Sequence, residues 1–252
     1  MRRRNPKVLV LDGEVVGKPS EVDCVNHRAV EYINRDRFNA STNKMKLHTF
    51  IYDFLIQSLI SIGSWTPSPK LLSLCGPELE GHHALWMEAL KRHDKKDSTP
   101  TFIERSSAVI QENNLIGQAV KCKATLVEGS VEDYIDGSFT CLDLDYCQNF
   151  KSIAKTLFPS LKKRTLPVVF ALHITGGYRG KGKNGVAGGV TSEERDAILY
   201  RLDRLIGRKM YGKGYAWEEP TKEILGGKYC APMRCVLRSY HKDYARIARE
   251  LS

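Results

Sequence analysis

Apolar positions along the chain switch between two spacings. From about Lys44 to Ile62, Leu47, Ile51, Phe54, Leu55 and Leu59 recur every three or four residues, the period of a helix with one buried face. Ala40-Ser41-Thr42-Asn43 before this stretch reads as a helix start, and Gly63-Ser64 as its stop. After the Trp65–Pro69 connector, short continuous apolar runs alternate with helical spacing. The runs predict strands at Lys70–Cys75, Thr101–Ile103, Cys122–Val127, Ser138–Leu144 and Pro167–Ile174. The segments between and after them predict helices at His82–Arg92, Ser106–Ile116, Phe150–Leu161 and Thr191–Met210. Val8–Leu11 followed by Asp12-Gly13 reads as a strand and turn. Residues 215–242 read as a strand pair around Gly226-Gly227, closing with Met233–Tyr240.

Strands that alternate with helices build β-α-β units and a mostly parallel sheet. Strands this continuously apolar are buried on both faces, as such a sheet requires. The expected fold is therefore α/β: a Rossmann-like, doubly wound, mostly parallel sheet with a C-terminal antiparallel hairpin and an N-terminal helical extension. The chain divides into an extension at 1–66 (strand, turn, then helix) and the Rossmann-like domain at 67–252. A basic, Gly-rich loop at 175–190 belongs to the second part.

Composition narrows the class. The 252 residues are 42% hydrophobic and 27% charged, a globular balance. No apolar run reaches the roughly 20 residues of a membrane span; Phe50–Ile62 is interrupted by Asp53, Gln57 and Ser58. Val8–Leu11 is too short for a signal-peptide core, so a soluble protein of the cytoplasm, nucleoid or nucleus is expected, with no membrane partner. Seven cysteines lie scattered without a C-x-x-C pair, which favours reduced, mostly buried thiols. His82 and His83 are adjacent on a predicted helix, where their side chains diverge, so no metal is expected.

The net charge of +10 is unevenly placed. Residues 1–150 hold 18 Lys+Arg against 20 Asp+Glu, a net of −2; residues 151–252 hold 21 against 9, a net of +12. Phosphates attract such a surface through counterion release, so nucleic acid, DNA or RNA, is the expected partner. Tyr178, Arg179, Lys181 and Lys183 in the Gly-rich loop are the candidate substrate contacts.

Ligands of open α/β sheets bind beyond the carboxyl ends of the strands. After the first predicted strand of the domain comes Cys75-Gly76-Pro77-Glu78-Leu79-Glu80-Gly81, whose glycines permit a tight turn into a helix start. The second ends in Glu104-Arg105, with a carboxylate placed to accept ribose hydroxyls. Glu128-Gly129-Ser130 follows the third, where small residues leave room for a flat ring. The fourth ends in Asp143-Leu144-Asp145-Tyr146, two carboxylates on one face of a strand.

In this order of elements and end residues, Pro69–Tyr240 resembles the class I S-adenosylmethionine-dependent methyltransferases. The resemblance implies that Cys75, Gly76, Glu78, Glu80 and Gly81 cradle the amino-acid part of S-adenosylmethionine. It implies that Glu104, with Arg105, holds the ribose, and that Gly129 and Ser130 flank the adenine. Asp143-Leu144-Asp145-Tyr146 looks like a variant of the D/N-P-P-Y motif of methylases acting on base amines, which implies catalytic roles for Asp143, Asp145 and Tyr146. The motif lacks both prolines, Pro77 stands where a glycine is usual, and Ser73 or Leu74 replaces the usual strand acid. A methyltransferase acting on protein or small molecules, and a catalytically silent nucleic-acid-binding relative, are the alternatives. A nicotinamide-dependent oxidoreductase would carry G-x-G-x-x-G on the first turn, which this chain does not.

Overall fold

The structure is a computed structural model. It describes residues 5–21, 42–61, 68–135, 138–145, 155–157, 159–160, 169–175, 200–201, 215–216 and 235–241. The strands are β1 (Lys7–Leu11), β2 (Glu14–Val15), β3 (Leu71–Leu74), β4 (Thr101–Glu104), β5 (Thr125–Glu128), β6 (Cys141–Asp145), β7 (Val169–Thr175), β8 (Tyr215–Ala216) and β9 (Cys235–His241). The helices are α1 (Thr42–Ser61), α2 (Leu79–Arg92), α3 (Ser107–Glu112), α4 (Leu115–Cys122) and α5 (Val131–Tyr134).

The nine strands among the described residues form one sheet in the order β2-β1-β5-β4-β3-β6-β7-β9-β8. The central five, β5-β4-β3-β6-β7, are mutually parallel. Counted along the chain, they stand third, second, first, fourth and fifth, the doubly wound order in which winding reverses beside the first strand. β9 runs antiparallel to β7, and β8 antiparallel to β9. The fold is thus the expected Rossmann-like α/β sheet closed by an antiparallel pair. β1 pairs antiparallel with β5, so the N-terminal segment extends the same sheet.

Side-chain alternation explains the layers. Leu71 and Cys141 face a core built with α1 and α2: Ile51, Tyr52, Phe54, Leu55, Ile56 and Leu59 from α1, and Leu85, Trp86, Ala89 and Leu90 from α2. Leu72, Leu142 and Leu144 are also buried, as a sheet covered on both faces requires. The predicted apolar face of α1 is the buried one, although the Leu47 side chain lies outside the described residues. Asp53, which interrupts the apolar run, accepts hydrogen bonds from Arg92 Nε at 3.0 Å and His93 Nε2 at 3.1 Å, tying α1 to the end of α2. Among the described residues no helix is long and apolar enough to cross a membrane.

Two boundaries differ from the sequence expectation. The single helix expected over Ser106–Ile116 is broken at Asn114, which adopts a left-handed backbone (φ 48°) and caps α4 by accepting from the Gly117 amide. Cys122, expected to open a strand, closes α4 instead, because Lys123 turns left-handed (φ 54°) and β5 begins at Thr125. Short polar side chains tolerate this conformation, and lysine adopts it less readily. The helices expected at Phe150–Leu161 and Thr191–Met210 fall largely outside the described residues.

If α1 is integral to the core, Leu55→Ala, at a fully buried position, costs about 2–5 kcal/mol in urea unfolding. A loss below about 0.5 kcal/mol, the range of substitutions away from packed sites, would show that α1 is not docked there.

Candidate functional site

The parallel strands β3 to β7 run the same way, so Leu74, Glu104, Glu128, Asp145 and Thr175 all end at one edge of the sheet. Register aligns these ends: Leu74 with Ile103, Glu104 with Glu128, and Asp145 with Thr175. Winding reverses between β3 and β6, which opens a crevice at their carboxyl ends. The turn from β3 into α2 lies on one side of this crevice and the tip of β6 on the other.

Gly76 has φ +52°, a conformation that glycine adopts without strain. A Cβ there would meet no protein atom within 4 Å, so backbone conformation rather than packing calls for glycine. α2 starts three residues later. Among the other turn residues, Cys75 is buried, and burial first, then the negative charge of Glu104, pushes its thiol well above the usual range. Glu78 is the residue before α2 and does not cap it with its side chain. Glu80 turns to α4, where its carboxylate accepts from Lys121 Nζ at 2.7 Å on the surface. A Cβ on Gly81 would meet only Glu78 Oε2, at 3.8 Å.

Glu104 stands at the tip of β4 and accepts from the Ser106 amide at 2.7 Å. Burial raises its carboxyl above the usual range, while the amides of Ser106 and Arg105 and the Arg105 charge pull the other way. The Gly129 amide donates to the Glu104 carbonyl at 3.0 Å, which joins the second and third tips. A Cβ on Gly129 would lie 3.0 Å from Pro6 Cα, so this glycine makes room for the N-terminal segment. Glu128 is held in the same way, accepting from the Ser20 amide at 2.8 Å. Ser130 precedes α5 and its hydroxyl donates to Glu132. Gly76, Glu104 and Gly129 therefore sit at neighbouring strand ends.

The two aspartates of β6 differ. Asp145 ends the strand, and its side chain lies outside the described residues. Asp143 lies two residues short of the tip, fully buried, and in register with Ser73 on one side and His173 on the other. Its Oδ2 accepts from Ser73 Oγ at 3.0 Å and lies 3.8 Å from His48 Nδ1. His82 Nδ1 and the Tyr52 hydroxyl share a hydrogen bond of 2.7 Å. Burial first, and next the Asp143 charge, raise the Tyr52 hydroxyl well above its ordinary value. Asp143 thus belongs to a polar cluster of His48, Tyr52, Ser73 and His82 beneath the crevice. Sequence reading missed this cluster; its signals were the polar Ser73 and Asp143 inside apolar strands, and His48 with Tyr52 one turn apart on an apolar helix face. Tyr146, Tyr178, Arg179, Lys181 and Lys183 lie outside the described residues.

No family model and no curated protein matches the chain. Solved structures similar to it include the following three. A SAM-dependent methyltransferase from Aquifex aeolicus is 12% identical with a TM-score of 0.41, covering 75% of this chain and 90% of its own. A 30S ribosomal A1408 methyltransferase from an uncultured bacterium is 10% identical with a TM-score of 0.37, covering 73% and 91%. A protein from Methanococcus maripaludis described as an S-adenosyl-L-methionine-dependent methyltransferase is 12% identical with a TM-score of 0.37, covering 85% and 90%.

The raised carboxyl of Glu104 makes a signed prediction. The folded chain releases this proton at higher pH than the unfolded chain, so the group's contribution to stability falls as pH rises between the two values. Glu104→Gln removes that penalty. At pH 7 its melting temperature is expected at or slightly above that of the parent, and its advantage should vanish toward pH 4. A variant markedly less stable at pH 7 would show that the ionised carboxylate supports the fold.

Proposed function

We propose that the chain is an S-adenosylmethionine-dependent methyltransferase whose acceptor is a nucleic-acid base amine. The observation that carries this reading is the juxtaposition at the β3–β6 reversal. A left-handed glycine turn opens into a helix start, a part-buried carboxylate ends the next strand, and the aspartate-bearing tip of β6 stands opposite. These residues fit the cofactor where the fit can be tested. Gly76 leaves its Cβ direction clear of protein atoms, and Glu104 is a part-buried acceptor suited to vicinal hydroxyls. The closing strands β9 and β8 stand where a dinucleotide fold continues with a sixth parallel strand.

In this reading the Cys75–Gly81 turn and the first turn of α2 hold the amino-acid part of the cofactor. Backbone groups contribute most, because the Glu80 side chain is engaged with Lys121. Glu104 accepts the ribose hydroxyls, with Arg105 beside it. Gly129 and Ser130 border the adenine by their backbone, Pro6 covering the Cα of Gly129. Bound there, S-adenosylmethionine supplies an electrophilic sulfonium methyl. Asp145, at the strand tip, accepts a hydrogen bond from the acceptor amine and directs its lone pair, with Tyr146 stacking on the base. Asp143, two residues deeper and fully buried, acts as a positioning residue for that tip. Reaching a base in a duplex requires turning it out of the stack.

The acceptor assignment rests on charge. The surplus of +12 over residues 151–252 suits a polyanion, and in the sequence Tyr178, Arg179, Lys181 and Lys183 follow Thr175, which ends β7 at the edge that bears the crevice.

Calorimetry with S-adenosylmethionine and its demethylated product should detect one site. Glu104→Ala should weaken it about tenfold to a hundredfold, the scale of charge-assisted hydrogen bonds. No binding of either compound would remove the reading altogether. In transfer assays with labelled methyl groups over RNA, DNA and protein pools, nucleic acid is the expected acceptor. Asp145→Ala should lower transfer by about 100-fold or more while cofactor affinity stays within a few-fold. Labelling confined to protein would leave the cofactor site standing and reject the acceptor.

A further inference from the structure

We propose that His48, His82 and Asp143 form a buried site for a divalent transition-metal cation of the zinc class. One donor atom from each of the three residues lies within 4.8 Å of the other two. The three come from α1, α2 and β6 and are 1%, 3% and 0% exposed. The cluster lies under the crevice and takes no part in the reading of cofactor or acceptor beyond the positioning given to Asp143.

Geometry separates cation binding from simple hydrogen bonding. His48 Nδ1 and Asp143 Oδ2 stand 3.8 Å apart, beyond hydrogen-bond reach. Two donors on one tetrahedral cation, each at about 2.0–2.1 Å, are roughly 3.4 Å apart, so this pair needs a few tenths of an ångström of closure, and a pair at the full 4.8 Å would need about 1.4 Å. The rings of His48 and His82 meet edge to face, with centroids 4.4 Å apart and planes at 75°. Two imidazoles on one tetrahedral zinc ion place their centroids roughly 5.2 Å apart, so ligation would part these rings by about 0.8 Å.

The surroundings supply what ligands need. A metal-bound histidine characteristically gives its second ring nitrogen to a polar partner, which fixes ring orientation. His82 Nδ1 bonds the Tyr52 hydroxyl at 2.7 Å, an arrangement compatible with ligation through Nε2. Ser73 Oγ donates to Asp143 Oδ2 at 3.0 Å and steadies the carboxylate. A buried carboxylate is costly to ionise, and a cation would add charge compensation to the hydrogen bond that Ser73 supplies. Two imidazoles select zinc, cobalt, nickel or iron over magnesium and calcium, which prefer all-oxygen shells. Such an ion would clamp α1 and α2 onto β6.

The test uses the full chain after chelator treatment and dialysis. Titration with Co2+ should give visible d–d bands that saturate at one equivalent and vanish on adding Zn2+. Zn2+ should raise the melting temperature. His48→Gln and His82→Gln, chosen because glutamine keeps the polarity of the site, should each weaken Co2+ at least 100-fold. Asp143→Asn should do the same, and folding of the histidine variants is checked by circular dichroism. Absence of both the bands and the thermal shift in the parent chain would overturn the site, leaving a hydrogen-bonded cluster. Undiminished binding by both histidine variants would also overturn it, by placing the metal elsewhere. Calorimetry with S-adenosylmethionine on the same samples is a separate readout, so either proposal can fail while the other survives.

Discussion

Ser73 and Asp143 are 70 residues apart in sequence, yet their side chains meet inside the sheet, where β3 lies parallel to β6. This pairing is the hinge of the whole arrangement. It is the place where the winding changes direction, and therefore the place where two consecutive crossovers leave their strand ends uncovered. Leu71, Leu72 and Ser73 take Cys141, Leu142 and Asp143 as neighbours, and a slip of one residue would turn a charged side chain to the opposite face. The hydroxyl–carboxylate bond therefore fixes register as well as satisfying a buried charge. Displacing it would misalign the glycine turn against the tip of β6.

The pattern of the chain was informative where local forces decide structure. Continuous apolar runs located β3, β4, β6 and β7 to within a few residues, and the three-and-four spacing located α1 and α2. It misled at Asn114 and Lys123, where left-handed residues end or begin helices inside a stretch whose hydrophobic content looks uniform. The place of β1 in the sheet was not readable either, since its pairing with β5 depends on contacts more than a hundred residues away, such as Ser20 with Glu128.

Legibility of the crevice followed the same division. Gly76, Glu104 and Gly129 could be found because each follows immediately on an apolar run. The polar cluster could not, because His48, Tyr52, Ser73, His82 and Asp143 come from four elements and converge only when α1 and α2 settle on one face of the sheet. The adjacency of His82 and His83 drew attention to the wrong comparison. His82 is nearly inaccessible, while His83 is only half-buried, with burial lowering its proton affinity. The informative neighbour of His82 was 34 positions upstream, not one downstream.

The hairpin of β1 and β2 has a further consequence. Without it, β5 would present a row of unsatisfied amides and carbonyls to any extended peptide. β1 occupies that row, with an irregularity between Val8 and Val10 that increases local twist. The outermost strand is then only Glu14–Val15, two exposed residues beyond a left-handed Asp12-Gly13 turn. A ledge so short and so twisted is a poor template for adding another strand, although Leu11, Val15 and Val16 leave apolar side chains on it. The protein can thus carry greasy residues on its rim without inviting runaway stacking of one molecule upon the next.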